Sequence, residues 1–209
     1  MRRSTLSFDE LNSLFREEYE EWFDEMDIDE DAKEDRVLTA MALEDAFLQV
    51  FSFIQMRLDN GEPFLADSIS LFEAAFMAVA LTRLGLTEDD VREDARRFAD
   101  AVALTTYNHK DTPYYTSADR AVNMAKTESN SINCHGDLVD AVMRGYTKKT
   151  WHSLLDGRER VWHREADGQT VPIDEPFEII GEYLMYPTDT SLGASDDNIA
   201  NCRCFATFA

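Results

Sequence analysis

Apolar side chains recur at helical spacing through the first hundred residues, between start and stop signals, and this pattern most constrains the fold. Ser7 with Glu10 forms a capping box before the first stripe. A longer stripe starts at Val37 and ends at Asn60-Gly61, a usual end of a helix. The two stripes consist of Phe8, Leu11, Phe15, Tyr19, Trp22 and Met26, and of Val37, Met41, Phe47, Val50, Phe51, Ile54 and Leu58. Each predicts an amphipathic helix with a buried apolar face.

Two further helices are predicted before residue 110. The third begins near Asp67 and runs to Gly85, and Thr87 with Asp90 opens the fourth. Their apolar residues are Phe72, Phe76, Val79 and Leu84, then Val91, Ala95, Phe98 and Val102. Because no period repeats, the pattern indicates a bundle and not a solenoid. The aromatic stripes could form a docking surface, but a buried core is their commoner use.

The pattern changes after residue 112. A long helix is predicted from about Ser117 to Gly145, and Gly136 weakens its middle. Its inward residues are Ala121, Ala125, Ile132, Leu138 and Val142. Beyond Tyr146 come short extended runs: TKKTWHSLL, TVPI and FEIIGEYLMY. We therefore predict an α+β fold, mainly α, in which an N-terminal helical bundle is followed by a long helix and a small C-terminal mixed element with a few short strands. The predicted division is an acidic helical region, 1–112, and a second domain, 113–209.

The acidic balance narrows the choice of partners. The 209 residues include 42 Asp and Glu against 20 Lys and Arg, which gives a formal net charge of -22. Such a surface repels nucleic acid and anionic lipid. An excess of carboxylates with few lysines is typical of proteins in a high-salt cytoplasm. We therefore hypothesise that the protein comes from a halophilic source. No apolar run approaches the roughly 18 residues that a membrane span needs. We therefore expect neither secretion nor membrane insertion.

Residues 144–165 form a locally basic window in this acidic chain. Its cations are Arg144, Lys148, Lys149, Arg158, Arg160 and Arg164. They could bind the phosphates of DNA. They could also hold the acidic helices of the same chain by ion pairing, which the surplus of carboxylates favours.

Three residues are candidate metal ligands: His163, Cys202 and Cys204. Zinc sites usually pair cysteines two or more residues apart, and a second matching pair is absent, so the sequence predicts no metal. With three cysteines in all, no disulfide framework is expected, and a reducing interior is the simpler interpretation. Neither a glycine-rich phosphate loop nor a dinucleotide fingerprint occurs, so no cofactor is predicted.

Five blocks in the C-terminal half carry a family resemblance: AKTESNSIN, KKTW, DGRERVWHREADGQTVPIDEPF, LMYP and NCRC. Their order and spacing resemble the Mu F-like minor head proteins, or head morphogenesis proteins, of tailed phages. The resemblance covers roughly residues 117–204 and departs from the family in Lys126, where arginine is usual, and in Trp162 before the histidine. The matching positions are Lys126, Thr127, Glu128, Lys149, Trp151, Asp156, Arg158, Arg160, His163, Gly168, Pro172, Asp174, Pro176, Phe177, Tyr186, Pro187, Asn201, Cys202, Arg203 and Cys204.

The resemblance implies a structural role for the chain, with residues 113–209 as the minor head protein motif domain. Family members are minor capsid components near the portal vertex that act in head assembly and in DNA packaging or delivery. The implied location is the virion, and the host cytoplasm during assembly. The implied partners are the portal protein and/or the major capsid protein, with packaged DNA as a further candidate. Some relatives carry a toxin or nuclease domain after the Cys-Arg-Cys element; the chain ends at Ala209, so that activity is not expected here.

Arg158, Arg160 and His163 are expected to be structural, pairing with Glu128, Asp174 or Glu175. Two alternatives stay open. One is a small hydrolase or nuclease that uses His163 with Arg158 and Glu128. The other is an acidic DNA mimic or adaptor that binds a basic partner through the N-terminal helices.

Overall fold

The computed structural model describes the backbone of residues 8–209 and the side chains of residues 16–209. The helices are α1 (Phe8–Asp24), α2 (Glu30–Asp59), α3 (Leu65–Ala80), α4 (Glu88–Asn108), a 3-10 helix (Pro113–Thr116), α5 (Ala118–Met143), α6 (Val161–Ala166) and α7 (Asp196–Ile199). The strands are β1 (Lys148–His152), β2 (Thr170–Pro172), β3 (Phe177–Ile179), β4 (Glu182–Leu184) and β5 (Phe205–Phe208). This confirms the predicted α+β, mainly α, class. The predicted Ser7–Glu10 capping box lies outside the described residues.

Local capping explains where the long helices begin. The Asp29 side chain accepts the backbone N–H of Ala32 at 2.8 Å and starts α2. The predicted capping box of Thr87 and Asp90 is present at the start of α4. At the start of α5, the Ser117 hydroxyl accepts the N–H of Arg120.

The limits predicted for α3 were wrong at both ends. The helix begins after Phe64, whose ring is buried, and not near Asp67. It ends at Ala80, and residues 81–85 form a turn that includes Gly85 at a φ of 94°. Leu84, predicted on the apolar face of this helix, is 85% exposed in that turn.

The bundle core lies around α2, which packs against α1, α3 and α5. Phe47 on α2 contacts the rings of Phe72 and Phe98. By length and composition alone, α2 is long and apolar enough to cross a membrane. Its ten buried residues lie under the neighbouring helices, as expected for the central helix of a bundle. With the exception of Leu84, the predicted stripes therefore pack into or against this core where their side chains are described.

The C-terminal element contains two small antiparallel sheets. One has the strand order β2-β1-β5, and the other is the hairpin of β3 and β4. The run FEIIGEYLMY is thus two strands joined at Ile180 and Gly181, both at positive φ, and not one extended segment. A compact cluster of buried side chains fills this element: Trp151, Ala166, Phe177, Ile179, Leu184, Cys202 and Cys204.

Helix α5 connects the bundle to the C-terminal element. Its Ala121, Ala125 and Ile132 belong to the same apolar cluster as the bundle helices, and Phe205 of β5 joins them there. Val142, predicted to point inward, is 54% exposed near the end of α5. The apolar core therefore continues across residue 112, and the division at that point stays a prediction.

Candidate functional site

Asn130 on α5 ties three parts of the chain together. The side chain is fully buried, and its Nδ2 donates to the carbonyl oxygens of Cys202 at 3.1 Å and of Cys204 at 3.0 Å. Its Oδ1 accepts the Nε of Arg36 on α2 at 3.1 Å. One amide thus uses both of its ends to join α2, α5 and the Cys-Arg-Cys segment.

Two signature residues beside Asn130 on α5 contact neighbouring parts of the same junction. The Thr127 hydroxyl accepts the backbone N–H of Asn201 at 3.0 Å. Asn201 has a φ of 54°, a conformation that asparagine tolerates better than most side chains. Lys126 pairs with Glu18 at 2.9 Å and lies 4.9 Å from the centre of the Trp22 ring. Thr127 therefore contacts the C-terminal segment, and Lys126 contacts α1.

An ion-pair network fixes the loop before α6 against the end of α1. Arg203 is bonded to Asp156 at 2.5 Å and to Glu25, and Arg158 bonds the same two carboxylates. The backbone N–H of Arg158 and the Arg203 guanidinium lower the pKa of Asp156 well below its usual range, although burial opposes this shift. The predicted partners of Arg158 were wrong: its carboxylates in the described part of the chain are Glu25 and Asp156.

Other cations of the basic window are also engaged within the chain. The Arg160 guanidinium donates to the carbonyl of Ala200 at 2.6 Å, beside the Cys-Arg-Cys segment, and not to a carboxylate as predicted. Arg144 and Arg164 pair with nearby acids on their own segments. Lys149 donates to the carbonyl of Met185 at 2.7 Å, and its burial lowers its pKa to about 8. Of the ion pairs expected with the acidic helices, the structure shows one from Arg158, to Glu25 directly after α1.

Trp151 forms the centre of the C-terminal element. The ring is fully buried and lies edge-on to His163 and Phe177, with centroid distances of 5.6 and 5.3 Å. Gly168 donates its N–H to the carbonyl of Trp151 at 2.9 Å and has a φ of 79°, which favours glycine. These four signature positions, Trp151, His163, Gly168 and Phe177, therefore pack as one unit.

His163 on α6 faces both cysteines of the C-terminal segment. The imidazole is 2% exposed, and its Nδ1 lies 3.6 Å from the Cys202 sulfur and 3.5 Å from the Cys204 sulfur. The Cys204 N–H donates to the Cys202 sulfur at 3.4 Å, and the Ser153 hydroxyl lies 3.2 Å from the Cys204 sulfur. The fold thus places all three candidate metal ligands together.

The orientation of the His163 ring follows from its other nitrogen. Its Nε2 lies 3.3 Å from Oδ1 of Asn198, whose Nδ2 donates to the Glu182 carboxylate at 2.6 Å. Since a carboxylate accepts, the amide nitrogen of Asn198 faces Glu182 and the amide oxygen faces His163. Nε2 then carries the proton, and the lone pair of Nδ1 points to the two sulfurs.

The thiols differ in their surroundings. A hydrogen bond from Cys202 lowers the pKa of Cys204, with His163 and Ser153 adding to the effect. The hydrogen bond to Cys204 and burial raise the pKa of Cys202. By contrast, burial raises the pKa of Cys134 on α5 to about 12, which leaves that thiol inert near neutral pH.

Glu128 lies elsewhere, in a groove of about 610 Å³ between α4, α5 and residues 190–201. Burial and the charges of Asp94 and Asp196 raise its pKa to about 8. Arg158 and His163 line a different cavity, of about 40 Å³, below the Cys-Arg-Cys segment. The three residues of the enzyme hypothesis therefore do not line a common pocket among those described.

Neither a protein-family model nor a solved structure matches the chain. A curated protein, the NAD(+)--arginine ADP-ribosyltransferase EFV of Enterococcus faecalis, is 32% identical over 92 residues. The match covers 42% of this chain and 18% of that protein, so the chain spans less than a fifth of its relative. The activity in that name belongs to the Enterococcus protein.

Several residues of the site escaped sequence analysis. Asn130 lies inside the AKTESNSIN block, and its one local signal is that it is a polar residue on the inner face of a helix. Glu25, Glu182 and Asn198 carried no local signal, because acidic and amide side chains are common along this chain. Their roles depend on contacts between distant segments.

Proposed function

We propose that this chain is a non-enzymatic minor head protein of a tailed virus. It acts near the portal vertex in head assembly and in DNA packaging or delivery. Its partners are the portal protein or the major capsid protein, and it is located in the virion and, during assembly, in the host cytoplasm. The resemblance of five sequence blocks to head morphogenesis proteins supplies the role, and the contacts among those blocks support it.

The observation that supports the proposal is how the blocks meet. Asn130 and Thr127 of the first block bond the Cys-Arg-Cys block, and Trp151 of the second contacts His163 and Phe177 of the third. Residues of these blocks thus hold the fold together, through the buried contacts of Asn130 and Trp151 and the exposed bond of Thr127. A signature that serves packing suits an assembly component more than an enzyme, whose matching residues line an accessible pocket.

The hydrolase or nuclease alternative receives less support from the same contacts. His163 is almost fully buried, and its Nε2 is bonded to Asn198. Glu128 lies in a separate groove. A general base must reach its substrate within hydrogen-bonding distance, and this His163 faces cysteines instead.

A complementation experiment in the producing virus tests the proposal. Deleting the gene should lower the yield of infectious, DNA-filled particles, and the wild-type gene should restore it. Arg160→Ala removes the bond to the Ala200 carbonyl and should complement poorly. Arg144→Ala is the matched control, because Arg144 is exposed and pairs only with Asp140 on its own helix among the described residues.

Two results would contradict the proposal. One is an unchanged yield of infectious particles after deletion. The other is a purified wild-type chain that hydrolyses nucleic acid and loses that activity in His163→Ala, which would favour the enzyme.

A further inference from the structure

We propose that His163, Cys202 and Cys204 bind a zinc ion that joins α6 to the C-terminal segment. Nδ1 of His163 and both sulfurs lie within 4.8 Å of one another, and all three side chains are buried. This inference does not depend on the proposed function, since it rests only on the geometry of these side chains.

The distances fit a tetrahedral ion. Zinc binds thiolate sulfur at about 2.3 Å and imidazole nitrogen at about 2.0 Å, which places the two ligand atoms about 3.5 Å apart. The sulfurs of Cys204 and Cys202 lie 3.5 and 3.6 Å from Nδ1. Both cysteines therefore stand where zinc ligands stand relative to the histidine.

Hydrogen bonds alone explain this arrangement less well. Nδ1 has one lone pair and can accept one thiol proton, yet two sulfurs approach it at nearly equal distances. Each sulfur also has a group beside it that can donate: the Cys204 N–H donates to the Cys202 sulfur, and the Ser153 hydroxyl lies 3.2 Å from the Cys204 sulfur and donates when that sulfur is a thiolate. Donors around both sulfurs suit two thiolates, and a divalent cation balances their two charges.

The surroundings supply the usual outer partners of a zinc site. Metal-bound histidines commonly donate their second N–H to a carboxylate or carbonyl, which fixes the ring. Here the Nε2 of His163 faces Asn198, and Glu182 fixes the amide of Asn198. The guanidinium groups of Arg158 and Arg203 are paired with Glu25 and Asp156, so their charges are compensated outside the cluster.

A fourth ligand has room. The cavity of about 40 Å³ lined by His163, Cys202 and Cys204 exceeds the roughly 10–15 Å³ that one water molecule needs. Two thiolates and an imidazole favour zinc over magnesium or calcium, which prefer oxygen ligands. Sequence spacing argued against a metal because no second cysteine pair exists, but α6 supplies the third ligand from a distance of 39 residues.

The ion would stabilise an element with a small apolar core. That core contains seven buried residues, of which two are the cysteines themselves. Small cores often need a metal or a disulfide for stability. Binding would release the remaining thiol protons to solvent and join His163 to both ends of the Cys-Arg-Cys turn.

Metal analysis of the full chain tests the site. The protein is expressed with added zinc, purified under reducing conditions without chelator, and analysed by inductively coupled plasma mass spectrometry. We expect about one zinc per chain. Cys204→Ser and Cys202→Ser should lose most of it. Cys134→Ser is the matched control: it removes a buried thiol that is outside the cluster, and it should retain the zinc.

A cobalt titration of the wild-type chain covers the case in which the cysteine variants do not fold. After removal of zinc, added Co²⁺ should give a sulfur-to-cobalt charge-transfer band and the visible bands of a tetrahedral site. The proposal is overturned if folded wild-type protein carries no zinc and shows no such bands. It is also overturned if Cys134→Ser loses zinc as fully as Cys204→Ser does.

Discussion

Replacing Asn130 by alanine should be among the most destabilising single changes in this chain. The substitution removes the side-chain amide, which donates to the carbonyls of Cys202 and Cys204 through Nδ2. It also removes Oδ1, which accepts the N–H of Arg36 Nε. Two neutral hydrogen bonds at about 1 kcal/mol each and one to a charged group at about 2 kcal/mol together suggest a loss of about 4 kcal/mol. For a chain of this size the melting temperature should fall by roughly 8–16 °C.

Urea unfolding followed by tryptophan fluorescence measures this loss, in a buffer with enough salt to screen the carboxylates. Asn123→Ala is the matched control: Asn123 is an exposed asparagine two turns earlier on α5, and its contact to Tyr114 is 3.5 Å long. The control should stay within about 0.5 kcal/mol of wild type. If Asn130→Ala lies within about 1 kcal/mol of Asn123→Ala, the account of this junction is wrong.

Three further outcomes follow from the charges. The pKa of Glu128 is raised to about 8 in the folded chain, so the chain should lose stability as the pH rises from about 4.5 to 8. Glu128→Gln should remove this pH dependence of the melting temperature. An unchanged pH profile in the variant would contradict the assignment. Arg203→Ala removes one of the two cations that pair with Glu25 and Asp156 and leaves Arg158 with both carboxylates; it should cost on the order of 2 kcal/mol in urea titrations. An unchanged free energy of unfolding would contradict this role of Arg203. With a formal net charge of -22, the chain should melt higher in concentrated KCl than in dilute buffer; equal melting temperatures would remove the halophilic hypothesis.

Local signals in the sequence predicted the long helices well. The start of α4 follows from the local capping box of Thr87 and Asp90. The end of α2 follows from Asn60 and from Gly61, which has a φ of 69°. The limits of α3 were missed because Phe64 starts this helix without a side-chain hydrogen bond. Helix α6 and strand β5 are short, and β5 depends on pairing with β1 more than fifty residues away.

The composition of the site was predicted better than its contacts. The resemblance singled out His163, Cys202 and Cys204, but nothing local indicates that they meet. The partner of Arg203, Glu25, is 178 residues distant. Net charge indicated intramolecular pairing, yet it could not choose a partner among 42 acidic residues. Such choices depend on the packing of α1 against α2 and of α5 beneath the C-terminal segment.

Quantitative mass spectrometry of purified particles tests the proposed role most directly. Virions are separated from soluble protein on a density gradient, and the copies of this chain are counted against the portal and major capsid proteins. We expect the chain in DNA-filled particles at a copy number near that of the portal protein and far below that of the major capsid protein, with cross-links to the portal. Its absence from particles that are infectious would contradict the proposal.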